Sequence, residues 1–424
     1  MSVSGWSQLA TPGGDNSMMT PAPVSGAGYQ TTTLSEDRAN YVRGSLLFTT
    51  AYSDNASVSP AGTPLSDISY SIWPSIALDE TTSRLHMVFN YSPGFTLYQR
   101  MSSLNQMDQN FNVSLQYRLS PHVTLQLADS LQKSSSFYNQ PDLASAVPVA
   151  GSAQAPVVTV IAPLADQLRN AGNAELTYQF SRDSMIGGGG TFSNLHYPNS
   201  SQVPGLFDSN AVGGSAFYSH RFSRKHYLGT TYQYQRIVAY PVGPENLVQT
   251  QGILGFYTLQ LTHSFSVSVS GGAQHSDLQQ APLPSSKTWS PVEIVSMGWR
   301  ARRTSLAANY MHVVSGGGGL VGAFHASTAN GSVRQQLSKT LTIGATGGYS
   351  IYKTVNPLFS LTGSGGHSVT GSATIEYRLR QHLQFQAGYT RLHQSFAEIA
   401  AISSPDTNRE FITISYQFSR ALGR

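Results

Sequence analysis

Phe111-Asn112-Val113-Ser114-Leu115-Gln116-Tyr117-Arg118-Leu119 is the stretch that decides the fold. Every odd position is apolar and every even position is polar, the period-2 pattern of a β-strand with one greasy face and one wet face. Nine residues at about 3.3 Å each, tilted by ~40°, reach roughly 23 Å, close to the apolar height of an outer-membrane barrel wall.

The pattern recurs along the chain, in Ile68-Ser-Tyr70-Ser-Ile72, Leu176-Thr-Tyr178-Gln-Phe180, Leu383-Gln-Phe385-Gln-Ala387 and Ile412-Thr-Ile414-Ser-Tyr416-Gln-Phe418. The ends of these segments also repeat. Tyr117-Arg-Leu119-Ser-Pro121, Tyr178-Gln-Phe180-Ser-Arg182 and Tyr416-Gln-Phe418-Ser-Arg420 share the form Tyr-x-apolar-Ser-turn. Looser copies stand at Phe222-Ser223-Arg224, Leu337-Ser338-Lys339 and Tyr377-Arg-Leu379-Arg380. A Tyr near a strand end suits a membrane headgroup level, where its ring is apolar and its hydroxyl wet. Tyr117, Tyr178, Tyr377, Tyr416 and Phe418 are therefore expected to form an aromatic girdle, which Trp73 and Trp299 also fit.

Strands are expected near 40–53, 67–79, 83–92, 110–119, 123–131, 173–181, 184–195, 210–222 and 226–237. A second set falls near 247–262, 266–275, 291–299, 304–314, 323–337, 341–352, 367–379, 383–393 and 409–418. The total is about 18. Short turns alternate with longer Gly/Pro/Ser/Asn loops, clearest near 54–66, 132–172, 196–209, 276–290 and 394–408. Short turns on one rim and long loops on the other is the arrangement of outer-membrane barrels. The expected fold is an all-β, antiparallel up-and-down transmembrane barrel over 40–418. Residues 1–39 would form a flexible periplasmic segment and 419–424 a periplasmic tail, since an even strand count puts both termini on the short-turn side.

Composition supports this reading over a soluble sandwich or propeller. Of 424 residues only 11% are charged while 40% are hydrophobic, against roughly 25% charged in ordinary soluble domains. No run approaches the ~18 apolar residues of a membrane helix. A barrel reconciles the two, because only alternate strand residues face lipid. A net charge of +4 is too small and evenly spread to argue for a nucleic-acid partner. The chain has no cysteine, so disulfides and thiolate metal sites are excluded. The Ser/Thr/Gly/Pro-rich opening shows neither a basic start nor an apolar core. A bacterial outer-membrane destination therefore expects an export signal upstream.

The polar strand positions expected to line a lumen are Asn112, Gln116, Arg118, Thr124, Gln126, Gln179, Gln260, Arg334, Gln336, Glu376, Arg378, Gln384 and Gln386. Gln, Ser and Thr dominate, a lining able to hold water or hydrogen-bond sugar hydroxyls. Arg118, Arg334 and Arg378 lie near proposed short turns and could form a basic ring. Within the long 132–172 connection, Val157, Val160, Ile161, Leu164 and Leu168 are candidates for an inward-folded constriction. Gly187–Gly190 and Gly316–Gly319 lack the Lys-Ser/Thr of a phosphate loop. The 12 His show no ligand spacing, and no Gly-x-Ser-x-Gly elbow accompanies the serines. No metal, cofactor or catalytic residue is expected, and the chain is read as not an enzyme.

Tyr91-Ser-Pro93-Gly-Phe95-x-x-Tyr98, then Leu104, Asp108 and the strand pair ending in Leu131-Gln-Lys133-Ser, resemble the β-barrel porin family associated with bacterial exopolysaccharide export. The terminal Tyr416-Gln-Phe418-Ser-Arg-Ala-Leu-Gly-Arg424 resembles the last strand of outer-membrane barrels, though these commonly end on the aromatic itself. The resemblance covers about a third of the chain. It implies an outer-membrane channel for polar solutes, with polysaccharide and a periplasmic export partner as its specialised form. It also implies lipid contact and recognition of the last strand by the barrel-assembly machinery. The rival readings are a non-conducting structural or adhesive barrel and a barrel-embedded lipid hydrolase.

Overall fold

The computed structural model describes residues 40–56, 64–135, 166–199, 206–241, 245–262, 264–280, 284–317, 321–354, 365–380, 382–396 and 406–421. Their strands are β1 (Tyr41–Ser53), β2 (Asp67–Thr81), β3 (Leu85–Tyr98), β4 (Gln106–Arg118), β5 (Val123–Ser134) and β6 (Gln167–Gln179). Next come β7 (Ser184–His196), β8 (Asp208–Arg221), β9 (His226–Tyr240), β10 (Asn246–Thr262), β11 (Phe265–Gln280) and β12 (Ser286–Arg300). The last six are β13 (Thr304–Gly317), β14 (Val321–Gln336), β15 (Leu341–Thr354), β16 (Gly365–Arg378), β17 (Leu383–Phe396) and β18 (Asp406–Ala421). One 3₁₀ turn, Ser102–Leu104, interrupts the β3–β4 connection.

Each strand pairs antiparallel with its neighbours in sequence, and β18 returns to β1, so all eighteen strands form one closed sheet. The closing register runs from Tyr41↔Ala421 to Ser53↔Arg409. Closure leaves no strand without a partner on each side, although β12 and β13 pair over only part of their length. Every expected strand exists, and both ends of the described wall lie on the short-turn rim.

The serine repeat has a local cause. Ser120 Oγ accepts the amide of His122 (3.2 Å), Ser181 Oγ that of Asp183 (3.3 Å), Ser223 Oγ that of Lys225 (3.2 Å) and Ser338 Oγ that of Thr340 (3.1 Å). Each hydroxyl satisfies a turn amide that the ladder has released. The last copy does not turn. Ser419 pairs with Arg43, and β18 continues to Ala421, so the wall ends three residues beyond the expected 418.

The expected boundaries fail mainly at the loop side. β3 runs on to Tyr98, β6 begins at Gln167, and β11 and β12 take up most of the expected 276–290 loop. There the outer positions become polar, as at His275, Asp277 and Lys287, and alternation fades while pairing continues. Leu168 is thereby corrected. It sits on β6 opposite Lys133 and His196, on the outer face, and cannot belong to a constriction loop. Val157, Val160, Ile161 and Leu164, like residues 1–39, lie outside the described residues.

The loop-side end of the closing seam is fastened by Asp54. Its amide donates to the Asn408 carbonyl at 3.2 Å. Its carboxylate accepts the Asn408 amide at 2.8 Å and the Asn408 Nδ2 at 2.5 Å. Partial burial opposes the charged form of Asp54. The hydrogen bonds from Asn408 and Thr407, with Arg391 nearby, outweigh it and hold the carboxyl below its ordinary value. A group so depressed stabilises the fold above its unfolded pKa and loses that contribution as pH falls through its folded pKa. Asp54→Ala should cost about 1–2 kcal/mol at neutral pH, read as earlier loss of the compact band on heating in detergent, and the difference from the parent should vanish in strong acid.

Candidate functional site

Residues in register across a ladder share a face, so one exposed row identifies a whole side of the wall. Tyr117 faces Leu125, Leu176 faces Gly188, Tyr257 faces Val269, and Ile414 faces Phe48 and Phe385. This face carries the exposed large apolar side chains, among them Phe48, Ile72, Leu127, Leu176, Tyr257, Met297 and Ile375. The girdle candidates Tyr117, Tyr178, Tyr377, Tyr416 and Phe418 all lie on it and are exposed. Trp299 also lies there, opposite Phe265.

The outer face remains apolar or small for a definite height. Asn170, Asn194, Arg236, His275, His312 and Arg391 stand eight to ten positions along their strands from the short-turn ends. At ~2.5 Å of height per tilted residue, polar groups resume about 20–25 Å above that rim. Two carboxylates stand lower within this height, and a third, Glu80, stands at the rim itself. Asp129 is tucked beside Gly172, on which the Phe192 ring lies, and Glu293 is exposed on β12.

All thirteen residues expected to line the lumen lie on the opposite, inner face. Gln116 pairs with Gln126, Arg118 with Thr124, Glu376 with Gln386 and Arg378 with Gln384. Gln179, Gln260, Arg334 and Gln336 share this face through Met185, Ser266, Gly344 and Thr342. Between them the wall is mostly Ser, Thr, Asn and Gln.

Trp73 is corrected from girdle to inner wall. Its ring lies over Gly94 of the neighbouring strand, where a Cβ would come within 2.5 Å of it. Phe217 covers Gly187, Phe256 covers Gly229, and Phe396 and Phe411 cover Gly366 and Gly388 in the same way. The missing side chains let large rings lie flat along the wall instead of projecting across the lumen. The first residue of the Gly187–Gly190 run therefore supports packing and not phosphate binding.

The basic ring is larger than the sequence suggested. Arg43, Arg118, Arg221, Arg300, Arg334 and Arg378 all face inward, within three residues of the short-turn end of six different strands. Arg221 is held by Asp183 at 2.6 Å. Arg334 reaches over Gly344 of β15 to Glu376 at 2.7 Å. Arg43 and Arg221 escaped the sequence reading because no strict alternation surrounds them, and Arg300 because the expected strand stopped at 299. Cations outnumber the inward carboxylates Asp79, Asp183 and Glu376 at this rim.

Two serine–histidine contacts bear on hydrolysis. Ser184 Oγ and Ser327 Oγ meet His220 Nδ1 and His312 Nδ1, each at 2.7 Å, on the outer face. A working triad needs a carboxylate to orient the imidazole. Asp183 is engaged by Arg221, and Glu293, in register with His312, forms no ion pair with it among the described residues. Nor do these residues gather three metal-binding side chains anywhere.

No protein-family profile and no curated protein sequence matches the chain. Among solved structures, OccAB3 of Acinetobacter baumannii aligns at a TM-score of 0.44 and 8% identity, over 90% of this chain and 99% of that one. The outer membrane protein opdK of Pseudomonas aeruginosa aligns at 0.43 and 11%, over 89% and 99%. The FrpB iron transporter of Neisseria meningitidis aligns at 0.44 and 9%, over 87% of this chain and 63% of that one.

The two faces can be told apart chemically, since the chain has no native cysteine. In proteoliposomes, Asn112→Cys and Gln116→Cys should react with a water-soluble maleimide at least about tenfold faster than Val113→Cys and Leu115→Cys. Equal rates would mean that the faces are misassigned.

Proposed function

We propose that the protein resides in a bacterial outer membrane and passes polar solutes through its lumen, with a preference for anions. The polarity split of a closed wall carries the reading. A ~20–25 Å outer band free of most charge matches a bilayer core, while an amide- and hydroxyl-rich interior suits water. Eighteen strands also give a diameter wide enough for an aqueous channel. The inward arginines at the short-turn mouth would raise the local concentration of anionic solutes. Acidic saccharides fit both features, with hydroxyls meeting Gln and Ser and carboxylates meeting Arg. Polysaccharide export, with a periplasmic partner, is the specialised form of this reading.

A non-conducting barrel is favoured by a different observation. Inner-face residues toward the loop side are sealed from solvent, with Asp108, Ser134, Ser276, Gln394 and Thr407 at 0% exposure. Planar-bilayer recording separates the two. The channel reading expects discrete conductance steps and a reversal potential on the anion side in a KCl gradient. In the triple variant Arg118→Gln/Arg300→Gln/Arg378→Gln, the anion-to-cation permeability ratio should fall by about twofold or more. Absence of conductance from folded, heat-modifiable protein would favour the structural or adhesive barrel.

A further inference from the structure

The wall is not equally fastened all round. β12 and β13 pair from Arg300↔Ser305 only as far as Glu293↔His312. Beyond that rung β12 continues on β11 to Ser286↔Leu278, and β13 continues on β14 to Gly317↔Val321. By comparison, β10 and β11 stay paired through Asn246↔Gln280. Pro291 lies two residues past the last rung and has no N–H to offer a ladder. On the loop side of this seam, the described backbones are not joined to each other.

Side chains take over where the ladder ends, Ile294 and Met311 on the last rung but one and Val292 and Val313 on the unpaired side. On the inner face Leu254, Val292, Ile294 and Met311 form a buried apolar cluster, with Val313 packed against it. Gly272 stands between Leu254 and Val292 in the register and lets them meet. On the outer face, Glu293 is exposed and His312 bonds Ser327. The His312 and His325 rings lie parallel with centroids 6.0 Å apart. At this height the usual polarity is reversed locally, with Val292, Ile294 and Met311 inside and Glu293 and His312 outside.

A ladder rung is directional and has no substitute in an apolar medium, whereas contacts among Val, Ile, Leu and Met can be replaced by contacts with any apolar guest. We propose that the β12–β13 seam is a lateral portal, through which small amphiphiles with an apolar body and a hydrogen-bonding head pass between the lumen and the outer leaflet. The body would displace the apolar packing around Val292 and Val313, and the head would be received by Glu293 and His312. The portal rests on the membrane residence proposed above but not on conduction of polar solutes.

The test uses the full chain in cells and exploits the missing cysteines. Val292→Cys/Val313→Cys, joined by a short bis-alkylating thiol reagent, pins the seam shut. Entry of N-phenyl-1-naphthylamine is followed by fluorescence, and conductance of the purified, cross-linked protein is measured in parallel. The portal expects entry faster than in cells lacking the protein, slowed at least about fivefold by the cross-link, with conductance unchanged. It is overturned if the parent protein gives no faster entry, if the cross-link leaves entry unaltered, or if conductance falls in proportion. Should the thiols fail to bridge, Ile294→Asn/Met311→Asn should slow entry comparably, and unaltered entry would equally sink the portal. Loss of heat-modifiable, membrane-bound protein would instead count against membrane residence.

Discussion

Backbone hydrogen bonding is the constraint from which the rest of this molecule follows. A strand placed in hydrocarbon cannot leave an N–H or C=O unpaired, because no water is there to take it, and each orphan costs several kcal/mol. The only way for strands to meet that demand without an edge is to close on themselves. Here β18 returns to β1 over the full length of β1, so the sheet has no first or last strand in space. Once the wall is closed, alternation has a second meaning. Each residue is committed either to the outside or to the lumen, and a single register slip would exchange the two.

That commitment explains why so few charged residues suffice. The outer face needs almost none over its apolar height, and the inner face uses neutral amides and hydroxyls, concentrating its arginines at one mouth. The fitted glycines serve the same end from the inner side. A ring such as Phe217 or Trp73 gains its packing by lying across a neighbouring strand, and only the absence of a Cβ at Gly187 or Gly94 allows it.

The fold was legible in the sequence because a half-buried strand writes its geometry with period two, and because the turn serines repeat for a local hydrogen-bonding reason. The thirteen inner-wall positions were legible for the same cause. Alternation is informative only where the two faces differ in polarity. Toward the loop side, His275, Asp277 and Lys287 face outward beside inner Gln274, Ser276 and Ser286, so both faces read as polar and the strands look like loop. Trp73 misled through its size. Its inward direction depends on Gly94 in another strand, a pairing that no local window contains. The parted β12–β13 seam was also invisible, since an unformed rung leaves no pattern beyond Pro291.

The seam that joins the two ends of the wall bears on how the protein must be made. Tyr41 meets Ala421, and Ser53 meets Arg409, so the contacts that finish the cylinder link residues separated by nearly the entire chain. Contacts of such long range are the slowest to form and come last. Until the final strand has been synthesised and delivered, β1 presents a raw row of amides and carbonyls to whatever lies beside it. A shortened chain would carry two such rows, one at each end, and would be a template for joining copies end to end. Each rung of that last seam has to wait for residues made at the far end of the chain.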